Sequence, residues 1–129
     1  MAPQEVVVDA SAAMAFLKRE PGGDRLRAYL TQSYMSAVNA AEVVQGMRRY
    51  GYDSEASLLV LQNIGLRIVD ADLPMARIAG NLERETKSIG LSLGDRFCLA
   101  LALERSVPVV ATDRRMAETN LPLTVVLLR

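Results

Sequence analysis

The chain has 129 residues, half of them apolar and 23% charged, and its 15 basic residues balance 15 acidic ones. That length holds one core-forming domain of ordinary globular composition, and a zero net charge argues against a protein that coats nucleic acid through bulk charge. Histidine is absent and Cys98 is the single cysteine, which excludes His-based acid–base catalysis, Ser-His-Asp and Cys-His nucleophiles, an internal disulfide and the common zinc sites.

The Met1-Ala2-Pro3-Gln4-Glu5 start lacks the basic segment of a secretory signal. Its apolar stretch is too short for a membrane span, so a cytoplasmic protein without membrane contact is expected. Glu5 to Val8 reads as a short buried strand ending at Asp9, followed by a helix from Ser11 to Lys18 that Pro21-Gly22-Gly23 stops. Asp24 caps a second helix through Leu30. A strand from Tyr34 to Ser36 leads into a helix from about Ala40 to Tyr50, which Gly51 ends, and Asp53 starts the next helix, through about Gln62. Leu66 to Val69 is the third strand. Asp72, with Pro74 in the first turn, opens a helix to about Ser88, and Ser92 caps another through about Glu104. Val107 to Ala111 is the fourth strand, a short helix begins near Arg114, and Leu123 to Leu127 is the last strand. Near-continuous apolar strands alternating with helices predict a parallel sheet covered on both faces, an α/β doubly wound domain over residues 1–129. Cys98, in the run Phe97-Cys98-Leu99-Ala100-Leu101, reads as a core thiol.

Such folds bind ligands at the carboxyl ends of their central strands. Asp9 ends strand 1, Glu42 lies in the first turn of the helix after strand 2, Asp95 in the first turn of the helix before strand 4, and Asp113 directly follows strand 4. Each acid alone is explained as a helix cap: Asn39-Ala40-Ala41-Glu42 and Ser92-Leu93-Gly94-Asp95 both have capping-box spacing, and Asp9 and Asp113 fit as N-caps. Taken together the balance reverses if the junctions converge. Two carboxylates about 4 Å apart repel by about 4 kcal/mol at an effective dielectric of 20, more than the roughly 1 kcal/mol that a cap returns. A converged quartet therefore needs a cation or shared protons, and an all-oxygen donor set suits Mg²⁺ or Mn²⁺.

Val6-Val7-Val8-Asp9-Ala10-Ser11-Ala12, Asn39-Ala40-Ala41-Glu42-Val43, Leu91-Ser92-Leu93-Gly94-Asp95-Arg96-Phe97-Cys98-Leu99-Ala100 and Val110-Ala111-Thr112-Asp113-Arg114 resemble the four signature segments of PIN-domain proteins, in particular VapC toxins of toxin–antitoxin pairs. The resemblance implies a three-layer fold with a five-stranded parallel sheet in the order 3-2-1-4-5, with Asp9 beside Asp113 and Glu42 and Asp95 closing the pocket. It implies Mg²⁺-dependent cleavage of RNA with Asp9, Glu42, Asp95 and Asp113 as metal ligands, direct or through water. Ser11, Asn39 and Thr112 are then supporting residues that hydrogen-bond a carboxylate or a metal-bound water. Arg49, Arg96 and Arg114 are the candidate phosphate contacts, each weighed against a solvated surface arginine. Asp70 and Asp72 fall at the sheet edge as turn and cap residues. A homodimer silenced by a VapB-like antitoxin is the expected assembly. The apolar stripe Val43, Met47 and Tyr50 reads as core, with dimer contact as the second choice.

Other readings fit less well. A phospho-acceptor receiver domain wants paired acids near its start and a lysine before the last strand, where this chain has Asn120-Leu121-Pro122. A catalytically silent PIN binding module does not require all four acids. A flap-type nuclease carries further carboxylates on a longer chain, and a metal-ion adhesion site wants a serine where Ala13 stands.

Overall fold

The computed structural model describes residues 4–129; the Met1-Ala2-Pro3 start, where no secretory signal is expected, lies outside them. Its strands are β1 (Val6–Val8), β2 (Ser33–Ser36), β3 (Leu66–Val69), β4 (Val109–Ala111) and β5 (Val125–Leu127). They form one parallel sheet in the order β3-β2-β1-β4-β5, as expected from the resemblance. Receiver domains order their strands 2-1-3-4-5, so that alternative ends here.

Helices α1 (Ala10–Leu17), α2 (Ala37–Arg48) and α3 (Ser54–Asn63) carry the core on one side of the sheet. Helices α4 (Leu73–Asn81), α5 (Glu83–Thr86) and α6 (Leu93–Arg105) carry it on the other. The strand period of two divides the central residues between them. Val6, Val8, Met35 and Val110 pack toward α1–α3, and Val7, Tyr34, Val109 and Ala111 pack toward α4 and α6. This is a three-layer arrangement, with β1 and β4 buried throughout and β5 half-buried at one edge. The stripe on α2 divides, because Val43 and Met47 are core while Tyr50 is 59% exposed. Among the described residues, no helix is long and apolar enough to cross a membrane.

Two expected helices take another form. Gly23–Gln32 is a 3-10 helix, and Asp24 does not cap it. Gly23 and Leu26 are buried and Tyr29 packs on the core, a three-residue spacing that suits three residues per turn better than 3.6. The helix expected to reach Ser88 breaks after Asn81 into α5 and a 3-10 turn, Lys87–Ile89. Met75, Ala79, Leu82 and Thr86 are all buried and keep helical spacing across the break. The periodicity therefore hides it, and Gly80-Asn81 supplies the weak point. Strand and helix ends otherwise move by up to three residues, and the shift at α2 matters for the site.

Helix α6 buries Gly94, Cys98, Leu99, Ala100, Leu101 and Ala102 between the sheet and α4. Leu99→Ala is expected to lower stability by about 2–5 kcal/mol, read as a shift in the urea midpoint with an unchanged slope. A loss below 1 kcal/mol would contradict the central place of this helix.

Candidate active site

Asp9 enters the interior because β1 delivers it there. Its backbone N–H donates to the Val110 carbonyl of β4 at 2.9 Å, and its side chain is 3% exposed. It is the N-cap of α1, as its sequence position suggests, and Oδ2 accepts from the Ser11 backbone N–H at 3.2 Å and from the Ser11 hydroxyl at 2.6 Å. The same hydroxyl accepts from the Thr112 N–H at 3.1 Å, so one serine fastens the carboxyl ends of β1 and β4 together. Asp9 Oδ1 is buried without a nitrogen or oxygen hydrogen-bond partner, and only the weakly donating Cys98 thiol lies against this carboxylate.

The start of α2 differs from the expected one in a way that changes two residues. Ser36 is the N-cap, accepting from the Val38 N–H at 3.2 Å, so Asn39 is inside the helix and Glu42 is in its second turn. The capping-box reading of these two therefore falls. Asn39 is fully buried, and its Nδ2 donates to Glu42 Oε1 at 2.8 Å and to the Gly94 carbonyl of α6 at 3.0 Å. Glu42 reaches the centre over Gly94, where a Cβ would sit 2.5 Å from Glu42 Oε2. Ser92 and Asp95 do form a capping box, with the Asp95 N–H donating to Ser92 Oγ at 3.2 Å and the Ser92 N–H donating to Asp95 Oδ2 at 2.9 Å.

The charges show which acids share space. Burial, and after it the charges of Asp95 and Glu42, push Asp9 up to about 6 against the lowering effect of the Ser11 hydrogen bonds. Glu42 is raised, first by burial and then by Asp95, with its Asn39 hydrogen bond acting the other way. The buried Cys98 thiol lies against the same group; burial and then Asp9 and Asp95 hold it well above its ordinary range, so it is no nucleophile. Asp113 behaves differently. It caps the 3-10 turn Arg114–Glu118, and both its oxygens are taken by Arg115: Nη2 meets Oδ2 at 2.8 Å, Nε meets Oδ1 at 3.2 Å and the backbone N–H meets Oδ1 at 3.0 Å. These hydrogen bonds hold its carboxyl below the ordinary range. Asp9, Glu42 and Asp95 thus form one repelling group, and Asp113 stands beside it already neutralised.

The donor set suits a hard divalent cation, since it is all oxygen and includes a buried, unpartnered carboxylate oxygen. It is not closed into a cage: among the described residues, no three acid or cysteine side chains are drawn together tightly enough to hold an ion as they stand. Asp95 is tied to its cap and Asp113 to Arg115. Binding would therefore require side-chain rotation at these two positions.

The arginines divide. Arg49 and Arg114 are exposed, whereas Arg96 spends its guanidinium on Thr86 Oγ1 at 3.0 Å and the Leu91 carbonyl at 3.2 Å, a structural tie in place of a free phosphate contact. Asp72 caps α4 through the Met75 N–H, and Asp70 is exposed beyond β3. Arg115 carries no motif of its own. The signal for it is its spacing from Asp113, the same two residues that separate Ser11 from Asp9. An aspartate N-cap that accepts from the N–H two residues on brings that residue's side chain back to its carboxylate.

A parallel sheet in this order, with acids gathered at its carboxyl edge, defines an acidic-site α/β domain. More particularly, residues 6–121 match the PIN domain, and the chain belongs to that family. No curated protein matches the sequence. Solved structures share the fold at low identity. A toxin–antitoxin complex from Klebsiella pneumoniae is 19% identical over 97% of this chain and 98% of that one, with a TM-score of 0.79. A DNA-bound VapBC from Salmonella typhimurium is 17% identical over 98% and 99%, with a TM-score of 0.73. A Mycobacterium tuberculosis VapC that cleaves the sarcin–ricin loop is 18% identical over 88% and 94%, with a TM-score of 0.74.

The raised Asp9 makes stability depend on pH. Below its ordinary value of 3.8 the residue is protonated in both the folded and the unfolded chain, and the folded state keeps its full stability. As pH rises toward about 6 the unfolded chain releases the proton first, so stability falls across that window by about 3 kcal/mol. Asp9→Asn keeps a capping side chain without the charge. In EDTA it is expected to be more stable than the parent at pH 7 and equal to it near pH 3.5, measured by urea denaturation. A variant that is weaker at pH 7 would contradict the repelling group.

Proposed function

We propose that this chain is a Mg²⁺-dependent endoribonuclease, with Mn²⁺ as a possible substitute, and that it is the toxin of a VapBC-type pair. The observation that carries the reading is the buried Asp9 oxygen left open beside Glu42 and Asp95, whose charges raise Asp9, in a PIN fold. Asp9, Glu42 and Asp95, joined by Asp113, would hold the cation. A cation held by these residues would supply Lewis-acid chemistry, activation of water and neutralisation of charge developing at a phosphate.

The remaining work falls to the chain. Ser11 fixes the Asp9 carboxylate by holding Oδ2, which leaves Oδ1 for the ligand. Asn39 orients Glu42 through Oε1 while anchoring to α6, and the bare Gly94 backbone lets that carboxylate approach. Thr112 contributes through its backbone N–H, which positions Ser11. Arg114, which follows Asp113, and Arg49, which ends the Glu42 helix, are exposed cations proposed to meet RNA phosphates.

Support for a protein partner comes from the α2–α3 face. Ala37, Ala40, Ala41, Val44, Ile68 and the exposed Leu58 line an apolar groove of about 400 Å³. A VapB-like antitoxin and a homodimer are both proposed; similar folds include VapBC complexes. The cytoplasm is the compartment in which such a toxin would meet its RNA.

Purified protein is expected to cleave RNA with Mg²⁺ or Mn²⁺ and to lose that activity in EDTA or on Asp9→Asn. Asn39→Ala should retain the fold and lose about 10–100-fold in activity. Gel assays on total RNA test this, and sequencing of new 5′ ends identifies the target. Cleavage that survives both EDTA and Asp9→Asn would overturn the proposal.

A further inference from the structure

We propose that Arg115 is a built-in counter-ion that competes with a divalent cation for Asp113, so that full metal ligation requires this guanidinium to let go. The inference rests on the reading of the acidic cluster as a metal site.

Two of the four acids are already engaged by their own chain, and they are engaged differently. Asp95 gives one oxygen to a backbone N–H and keeps the other, whereas Asp113 gives both oxygens to Arg115 in a fork-to-fork pair. The fork is held in place from behind. Arg115 Nη1 donates to the Gly90 carbonyl at 3.0 Å, and Gly90, at φ +80°, takes the left-handed conformation that ends the preceding 3-10 turn. Arg115 is thus posted at the rim by two separate segments.

A cation at that place has an electrostatic reason. Asp9, Glu42 and Asp95 repel one another, and a fourth free carboxylate would add to the repulsion. The guanidinium pairs with Asp113 instead, and the Asp95 charge also acts on Arg115, which places this cation between Asp113 and the open acids. The unpartnered Asp9 Oδ1, buried in the same group, independently marks a ligand position that Arg115 does not fill. One acid is therefore masked while another is left open. The Arg115 side chain is 51% exposed, so the pair faces water and can exchange. A doubly charged ion drawn in by the three open acids would compete for Asp113 with a single positive charge.

The test reads metal binding in the absence of RNA, by Mn²⁺ electron paramagnetic resonance on the full chain. Arg115→Gln is expected to bind Mn²⁺ about fivefold tighter. Arg115→Lys, which keeps the charge without the fork, should fall between. Arg114→Gln removes the same charge one residue away and should change nothing. In an Asp113→Asn background, Arg115→Gln should lose its effect. The Arg115 Nε–H resonance should also move with Mg²⁺ along the binding curve of the parent protein. A merely structural staple would lower the melting temperature and leave Mn²⁺ affinity alone. Binding by the parent that Arg115→Gln does not tighten, or an equal gain in the Asp113→Asn background, overturns this proposal while leaving the metal site standing. Absence of Mn²⁺ binding in folded parent and variant alike overturns both.

Discussion

Three carboxylates share the interior edge of this sheet, and the first of them, Asp9, has almost no contact with water. Glu42 and Asp95 are half-buried beside it, so water screens the repulsion on Asp9 poorly and each acid is also held by a neighbour. Asp9 has Ser11, Glu42 has Asn39, and Asp95 has the N-terminus of its own helix. The surrounding chain reads as a set of holders for charges that would otherwise push the junctions apart. Ser11 ties two strands, Asn39 ties two helices across the sheet's edge, and Gly94 leaves the space into which Glu42 leans.

That arrangement explains why the helix-cap and the ligand readings of the acids are not exclusive. Asp9, Asp95 and Asp113 do cap, each using part of its hydrogen-bonding capacity on local N–H groups. A carboxylate has more lone pairs than a cap consumes, and Asp9 keeps an entire oxygen free. Capping also positions these side chains: a strand that ends at an N-cap aspartate presents its carboxylate at the carboxyl edge. Glu42 is the exception. It caps nothing, which removes the structural explanation for it and leaves the interaction with Asp9 and Asp95.

The two sides of the sheet contribute unequally. Helix α6 is buried nearly all round and brings Gly94, Asp95 and Cys98 to the centre on a rigid element. The other side supplies α1, capped by Asp9, and α2, with Glu42 in its second turn. The site is thus a junction of layers, held by side chains from both, and its donors are fixed to regular elements rather than to a long loop. Only Asp113 sits in a short irregular turn, and it is the acid whose partner is an exposed arginine.

Much of this was open to reading along the chain. The apolar strand runs, the capping residues Asp53, Asp72 and Ser92, and the four acids at strand-to-helix junctions are local features, governed by neighbours within about four positions, which is the reach of a cap hydrogen bond. The strand order came from resemblance and agrees with the structure. Other features depended on distances that only folding sets. The resemblance, through the strand order that it implies, pairs Asp9 with Asp113 and leaves Glu42 and Asp95 to close the pocket. Tertiary packing joins Glu42 to Asp9 through Asp95 and turns Asp113 toward Arg115. The reason is physical. A cap is decided by the chain beside it, but a carboxylate's charge is felt through space, and which cation answers it depends on side chains that meet after the sheet has closed.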